Sequence, residues 1–214
     1  MCRRILISLL TLCTLLAVNT AVFAQDPPAQ PYKDIKPIQP TQVAEGKIEV
    51  VEVFWYGCPH CYDFEPQLSK WVEKLPADVE FRRMPAVYNN SLVPHARAYY
   101  TAEKMGIVEQ IHRPLFDAMH KEKKQINNEK ALQEFFVDHG ADEAEFKRIY
   151  NSMEIDTMVK QALVMGVRYR IEGVPAVVIN GKYLTSGKHA GSYENLLKVM
   201  DQLVDKEREE LTRQ

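Results

Sequence analysis

The sequence predicts an α/β fold in which a block of helices divides a strand-containing domain into two parts. A run of β-branched and aromatic residues, 48–55, ends just before a Cys-x-x-Cys motif at residues 58–61. Apolar residues then recur at intervals of three and four across residues 91–166, without the alternation typical of strands. A second β-branched run, Val177–Asn180, leads into the hairpin signal Asn180-Gly181.

The first 24 residues have the pattern of a secretory signal peptide. Arg3 and Arg4 precede the apolar run Ile5–Val18, and small or permissive residues end the segment at positions 22–24. We therefore predict cleavage after Ala24. The alternative is a membrane anchor, but the run is shorter than the roughly 20 apolar residues that span a bilayer. Export through this signal predicts an oxidising compartment.

The composition of the remaining chain is that of a soluble globular protein with a mildly acidic balance. Without Arg3 and Arg4 the sequence keeps 25 of its 27 basic side chains against 29 acidic ones, a formal charge of −4. This balance argues against nucleic acid as a partner. About 190 residues suffice for one large domain or for a domain with an insertion. Residues 25–30 are rich in Pro and Gln, and we predict that they are disordered.

Two of the four cysteines, Cys2 and Cys13, fall inside the predicted signal peptide. The mature chain therefore keeps Cys58 and Cys61, whose spacing is typical of a redox-active pair. A zinc site would need two further ligands, and no histidine repeats at the spacing of a zinc finger. The alternative from another functional class is a metal carrier that uses Cys58, Cys61 and a histidine.

The Cys-x-x-Cys motif lies where a predicted strand gives way to a predicted helix. Free backbone N–H groups and the helix dipole favour negative charge at that point, so the Cys58 thiol should lose its proton easily. Pro59 suits the first helical turn, where its missing N–H is not needed. His60 is expected to favour the thiolate further. Cys61 follows one turn later, close enough to form a disulfide with Cys58.

Residues 31–90 are predicted to form the first part of the strand-containing domain. After the motif a helix is expected from Pro59 to Leu75, with Pro66 in its interior. The predicted strands are an edge strand within Tyr32–Ile38, a buried central strand at Ile48–Trp55 and a further strand at Val79–Met84.

Glu52 interrupts the apolar part of the central strand. Because its neighbours on both sides are apolar, we expect a partly buried carboxyl group with a raised pKa, able to pass a proton to or from Cys61. The alternative is a carboxylate at an exposed strand position. Arg82 and Arg83 point to opposite faces of the next strand, so one is expected to pair with Glu52 and the other to be solvated.

Residues 91–166 are predicted to be a helical insertion of four or five amphipathic helices. Joints are expected at residues 140–142 and 151–152, with Asp142 as an N-cap. The histidines in or beside this block are expected to be surface or core polar groups rather than metal ligands. They are His95, His112, His120 and His139.

Strands are expected to return in residues 167–206, with a closing helix behind them. The predicted order is a lead-in at Val167–Ile171, Gly-Val-Pro-Ala at residues 173–176, strands at Val177–Asn180 and Lys182–Thr185, and a helix across Tyr193–Leu203. Charged residues dominate from Asp205 onwards, and we expect residues 207–214 to be a solvated tail in which the helix frays.

The Cys-Pro-His-Cys motif, the Gly-Val-Pro-Ala sequence, the hairpin and the closing helix together resemble the thioredoxin fold. The helical block between the two halves resembles that of the DsbA family, the periplasmic thiol:disulfide oxidases of Gram-negative bacteria. This resemblance implies a periplasmic protein with no cofactor beyond its redox-active disulfide. No dimerisation domain precedes the fold, which favours a monomer over the dimeric isomerases of similar fold.

The resemblance also implies roles for individual residues. Cys58 would be the exposed sulfur that substrates attack, and Cys61 would be shielded by Pro175. Val174-Pro175 would form a cis-proline loop whose free backbone pairs with an extended peptide, and Glu52 would be the family's buried acid.

The implied function is donation of the Cys58–Cys61 disulfide to reduced, newly exported proteins. Reoxidation would come from a membrane quinone reductase of the DsbB type. A disulfide isomerase or reductase of the same fold is the alternative within this class.

Overall fold

A computed structural model describes residues 30–213 of the chain. The predicted signal peptide, Cys2, Cys13 and residues 25–29 of the predicted disordered segment lie outside the described residues. Within the described part, none of the helices combines the length and the apolar character that crossing a membrane requires.

The centre of the fold is a mixed five-stranded sheet with the strand order β1-β5-β4-β2-β3. β2 is an inner strand and all seven of its residues are buried, as the sequence predicts for the central strand. It pairs in parallel with β3 and antiparallel with β4. The strands are β1 Lys33–Asp34, β2 Ile48–Phe54, β3 Val79–Pro85, β4 Ala176–Ile179 and β5 Tyr183–Ser186.

Five helices lie between β3 and β4, which confirms the predicted helical block. The prediction that strand structure leads on from Val167 is wrong, because the last of these helices continues to Arg168. The first helix of the fold ends at Val72, so Leu75 lies beyond it. The helices are α1 Pro59–Val72, α2 Val93–Met105, α3 Val108–His120, α4 Glu129–Asp138, α5 Glu143–Tyr150, α6 Met153–Arg168, α7 Gly187–Ala190 and α8 Tyr193–Thr212.

Side-chain caps begin the helices where the joints are predicted. The carboxylate of Asp142 accepts a hydrogen bond from the Glu145 backbone N–H at 2.7 Å, and Ser152 caps α6 in the same way. The hairpin turn is also confirmed: Asn180 and Gly181 have φ values of 50° and 64°, the left-handed pair of a type I′ turn. A Cβ on Gly181 would lie 2.1 Å from the Gln39 carbonyl oxygen, so the position requires glycine.

The sheet separates two apolar cores. Val51 and Val53 of β2 face the helical block, whereas Ile48 and Val50 face α1 and α8. This second core includes the C-terminal part of α8, and the prediction of a solvated, frayed tail is wrong. Glu207 is 0% exposed. Its carboxylate accepts a hydrogen bond from Asn180 and pairs with Lys182, and both partners lie in the hairpin that α8 covers.

Candidate active site

Cys58 is the N-cap residue of α1, and Pro59 occupies the first helical position, as predicted. The Cys58 N–H donates to the Trp55 carbonyl at 2.9 Å, which closes a turn between β2 and α1. Both thiols are free, so the structure describes the reduced dithiol. Cys61 is 0% exposed, as expected, but Cys58 is only 7% exposed and is less accessible than the sequence predicts.

The two thiols have opposite acidities. The hydrogen bond from the Cys61 thiol is the largest of the effects that lower the pKa of Cys58, from 9.0 to about 6. The backbone N–H groups of Cys61 and His60 and the charge of His60 add to this effect, against the opposing effect of burial. Burial, and then the neighbouring Cys58, raise the pKa of Cys61 well above its ordinary value. Of the two thiols, Cys58 is therefore the one that ionises more easily.

The low pKa of Cys58 links the redox state to pH. Between about pH 6 and pH 9 the unfolded chain keeps the Cys58 proton that the folded chain has lost. The contribution of the Cys58 thiolate to the stability of the reduced protein therefore grows with pH across this window. This contribution is lost as the pH falls through 6. The oxidised protein has no such thiol, so the reduced form gains stability relative to it.

Replacing His60 with alanine should raise the Cys58 pKa by less than about one unit, because the N–H of residue 60 remains and only the imidazole is lost. The ultraviolet absorbance of the thiolate, followed across pH, measures this shift. His189→Ala is a matched control, since His189 lines the same groove as His60 but is not among the groups with the main effects on the Cys58 pKa. An unchanged titration in folded His60→Ala would remove His60 from the site.

The Val174-Pro175 peptide bond is cis, as the resemblance implies. The Cys58 thiol donates to the Val174 carbonyl oxygen, with the sulfur 3.4 Å away, so the proline loop lies directly against the reactive sulfur. A groove of 640 Å³ is lined by Val174 and Pro175 and also by His60 and Tyr193. The proline loop thus contacts the Cys58 thiol and lines an open groove.

Glu52 lies buried beneath the thiols, at 1% exposure, and the alternative of an exposed strand carboxylate is wrong. Burial raises its pKa to about 8, although Arg83 opposes this effect. Arg83 is the arginine that pairs with it, with Nε 3.1 Å from Glu52 Oε2. The expectation that Arg82 is merely solvated is wrong too, since its guanidinium pairs with Glu49 at 3.1 Å.

The sequence analysis missed Glu65, which shares Arg83 with Glu52. One guanidinium nitrogen of Arg83 lies 2.7 Å from Glu65 Oε1. Glu65 follows Cys61 by four residues on α1, so both lie on the buried face of that helix. A carboxylate on the apolar face of a helix is a signal that could have identified it.

Three of the four histidines of the helical block form hydrogen bonds with Trp55 or Tyr56, the residues that precede the Cys-x-x-Cys motif. His112 Nδ1 lies 2.9 Å from the Tyr56 hydroxyl oxygen, and His120 Nε2 lies 2.7 Å from the Tyr56 carbonyl oxygen. His139, the C-cap residue of α4, instead forms a hydrogen bond with the Phe135 carbonyl of that helix. The prediction of surface or core polar groups was therefore incomplete, since these contacts need the helical block folded against the sheet.

The third of these histidines acts through Trp55. The Trp55 indole N–H donates to His95 Nδ1 at 2.8 Å, and His95 Nε2 lies 2.6 Å from the Ile126 carbonyl oxygen. The indole covers Gly57, where an added Cβ would lie 2.3 Å from the ring. Only glycine therefore fits directly before Cys58.

Known proteins share this fold. The sequence model of the DSBA-like thioredoxin domain matches residues 77–200, more than half of the chain, in a stretch that begins after the Cys-x-x-Cys motif. The thiol:disulfide interchange protein DsbA of Azotobacter vinelandii is 44% identical over 163 residues, which cover 76% of this chain and 76% of that protein. The crystal structure of Pseudomonas aeruginosa DsbA has a TM-score of 0.82 and 40% identity, covering 86% of this chain and 95% of that one.

An acidic thiol and a buried thiol lie at the start of a helix, beside a proline loop on a thioredoxin-like fold. This arrangement defines the class of thiol:disulfide oxidoreductases. The chain belongs to the DSBA-like thioredoxin domain family. The predicted thioredoxin fold with an inserted helical subdomain, and the predicted enzyme class, are thereby confirmed. The roles of the individual site residues and the domain boundaries remain predictions.

Proposed function

We propose that this protein is a periplasmic oxidase that donates the Cys58–Cys61 disulfide to newly exported proteins during oxidative folding. The observation that carries the proposal is the split between the two thiols, an acidic Cys58 and a buried, weakly acidic Cys61. A stabilised Cys58 thiolate lowers the free energy of the reduced enzyme, so the disulfide is readily given away. The relatives named thiol:disulfide interchange protein DsbA support the same function.

The first step breaks the enzyme disulfide. A client thiolate attacks the Cys58 sulfur, a client–Cys58 disulfide forms, and the Cys61 sulfur leaves with the electron pair. Glu52 is protonated at neutral pH because its pKa is about 8, and it gives its proton to the departing Cys61. The higher pKa of Cys61 makes this transfer favourable.

The second step releases the client. A second client thiolate attacks the client sulfur of the mixed disulfide, and Cys58 leaves as a thiolate. Its pKa of about 6 keeps that thiolate ionised at neutral pH. The client has then lost two electrons and gained one disulfide, and the enzyme is the reduced dithiol. The dithiol pair is the redox group of this cycle, with no further cofactor.

Clients would bind beside the proline loop. The groove that begins at Val174 and Pro175 is open to solvent and is lined by apolar and backbone surface as well as by His60 and Tyr193. An extended, unfolded segment suits such a groove, because its backbone can pair with the Val174 backbone. Backbone pairing depends little on client sequence, so reduced exported proteins form a broad client class.

The remaining parts of the cycle follow from the family and from the sequence. Export by the signal peptide, with cleavage after Ala24, would place the enzyme in the periplasm. The enzyme would act there as a monomer. A membrane quinone reductase of the DsbB type would reoxidise Cys58 and Cys61. The mild acidity of the chain fits protein rather than nucleic-acid partners.

The test is the equilibrium of the Cys58–Cys61 pair with glutathione. At pH 7 a Cys58 pKa of about 6 should shift the equilibrium about tenfold towards the reduced enzyme, relative to a pair of ordinary thiols. The shift should shrink as the pH falls from 7 towards 6 and should be absent well below pH 6. An equilibrium like that of ordinary thiols would contradict an oxidase.

Two client assays separate the alternatives. An oxidase should act faster on reduced ribonuclease than on scrambled ribonuclease, whereas an isomerase should show the reverse order. A stoichiometric metal bound to protein purified without chelator, with no activity on reduced ribonuclease, would favour the metal carrier.

A further inference from the structure

The two buried carboxyl groups beneath the thiols, Glu65 and Glu52, accept different numbers of hydrogen bonds from the protein. Glu65 Oε1 accepts hydrogen bonds from Arg83 at 2.7 Å and from the Ser69 hydroxyl at 2.8 Å. Glu52 accepts one hydrogen bond, from Arg83 Nε at 3.1 Å, and its Oε1 has no hydrogen-bond partner among the described residues. Two carboxyl groups therefore share one guanidinium, and the surroundings favour a negative charge on Glu65.

His112 adds to this inequality from the helical block. Its Nε2 lies 3.4 Å from Glu65 Oε2, and within residues 30–213 neither atom has a hydrogen-bond partner. Its Nδ1 lies 2.9 Å from the Tyr56 hydroxyl oxygen. Burial holds the pKa of Tyr56 well above its ordinary value, so the phenol keeps its proton and donates to Nδ1. The imidazole hydrogen is then on Nε2, the ring nitrogen that lies 3.4 Å from Glu65 Oε2.

The net effect of burial and of the charges around His112 is to lower its pKa, so the imidazole is uncharged at neutral pH. Burial lowers its pKa, and so does Arg83 from β3. Glu65 from α1 acts in the opposite direction, as does Glu109 from its own helix. Four aromatic rings that carry no charge at neutral pH also lie around His112, namely Phe54, Tyr56, Tyr99 and Phe116.

We propose that His112 is a positioning residue which, by donating from Nε2 to Glu65, assigns the negative charge of the carboxyl pair to Glu65 and leaves the proton on Glu52. Arg83 alone cannot make this choice because it contacts both carboxyl groups. Of the two carboxyl groups, Ser69 and His112 contact Glu65 and not Glu52. The proposal rests on the proposed function, in which Glu52 must be protonated when Cys61 leaves.

The pKa of Glu65 is the quantity that His112 controls directly. Without a donor at Oε2, the charge on Glu65 is less stabilised, so Glu65 takes up a proton at higher pH. One lost hydrogen bond to a charged group corresponds to a rise of about one pKa unit in Glu65. Glu52 loses its proton while Glu65 is already ionised, so the Glu52 pKa should stay near 8.

Three substitutions of His112 separate its two contacts. The side-chain amide of Gln reaches the Nε2 position and keeps a donor for Glu65, whereas Asn reaches the Nδ1 position and keeps only the partner of Tyr56. Leu removes both contacts. The carboxyl carbons of Glu65 and Glu52 are titrated by NMR in the reduced, glutamate-labelled protein, and the two resonances are assigned by their loss in Glu65→Gln and Glu52→Gln.

We expect H112L and H112N to raise the Glu65 midpoint by about one unit and H112Q to leave it near the wild-type value. An unchanged Glu65 midpoint in folded H112N would overturn the proposal. So would a shift in H112Q equal to that in H112L, because the Nε2 donor would then not be the cause. H112N keeps the Tyr56 contact and tests the proposal even where H112L does not fold.

A rate measurement distinguishes failure of this inference from failure of the proposed function. The rate of attack by a cysteine peptide on the oxidised enzyme, divided by the thiolate fraction of the peptide, should fall above about pH 8 in the wild type and in H112N, because Glu65 is ionised in both proteins across this range. Glu52→Gln should be slow and lose this pH dependence. If the Glu65 midpoint moves in H112N but the wild-type rate does not fall above about pH 8, His112 keeps its assigned role and the Glu52 relay is wrong.

Discussion

Cys61→Ala is expected to accumulate mixed disulfides with exported proteins, whereas Cys58→Ala should accumulate few. Cys58 has a pKa of about 6 and retains some exposure, so it can react with clients. In Cys61→Ala no internal thiol remains to release a client that is joined through Cys58. In Cys58→Ala the remaining thiol is 0% exposed and its pKa is raised. The thiolate fractions differ about a hundredfold or more at pH 7.

A non-reducing gel of the two variants, probed for this protein, measures the accumulated adducts. Equal ladders would mean that both sulfurs are accessible, and the assigned roles of Cys58 and Cys61 would be wrong. The absence of a ladder from folded, exported Cys61→Ala would contradict thiol exchange and favour the metal-carrier alternative.

Arg83→Met should lower the free energy of unfolding by about 3–5 kcal/mol, because it leaves the buried Glu65 carboxylate without its guanidinium partner. The arginine side chain is 13% exposed and Glu65 is 4% exposed, so water cannot replace the lost contact. Urea unfolding of the reduced proteins measures the change. Lys47→Met is the control, since the Lys47–Glu80 pair is about 40% exposed on both sides and should contribute at most about 1 kcal/mol.

The penalty should also depend on pH. Hydrogen bonding and charge from His112 and Arg83 outweigh burial and lower the pKa of Glu65, so its carboxylate stabilises the wild type above the unfolded pKa. That stabilisation is lost as the pH falls through the folded pKa. The difference between Arg83→Met and the wild type should shrink towards low pH. A loss below 1 kcal/mol at pH 7 would mean that the network beneath the thiols does not stabilise the fold.

Features that depend on neighbours along the chain could be predicted from the sequence. The start of α1 at Pro59 follows from a strand that ends just before a Cys-Pro dipeptide, and the five helices follow from apolar periodicity. The Asn180-Gly181 turn follows from backbone conformations that these two residues adopt readily. In each case the physical cause acts within a few residues, so local sequence contains it.

The choice of partner for Glu52 needed the tertiary structure. Arg82 and Arg83 are adjacent, and a shift of one residue in strand pairing would exchange them. The register that pairs Glu52 with Arg83 in the β2–β3 ladder places both side chains on the α1 side of the sheet, while Arg82 points to the other side. Strand register is set by packing of the whole sheet, which no single stretch of sequence contains.

The convergence of Glu65 and His112 on the same site, and the burial of Glu207, were decided by packing between distant segments. Glu65 and His112 are 47 positions apart in the numbering, on helices that meet only when the helical block folds onto the sheet. Glu207 lies in a charge run that reads as solvent-exposed, yet the β4–β5 hairpin supplies its hydrogen-bond donors. A charged residue is buried only where a partner meets it, so its burial depends on the tertiary structure rather than on its own neighbours.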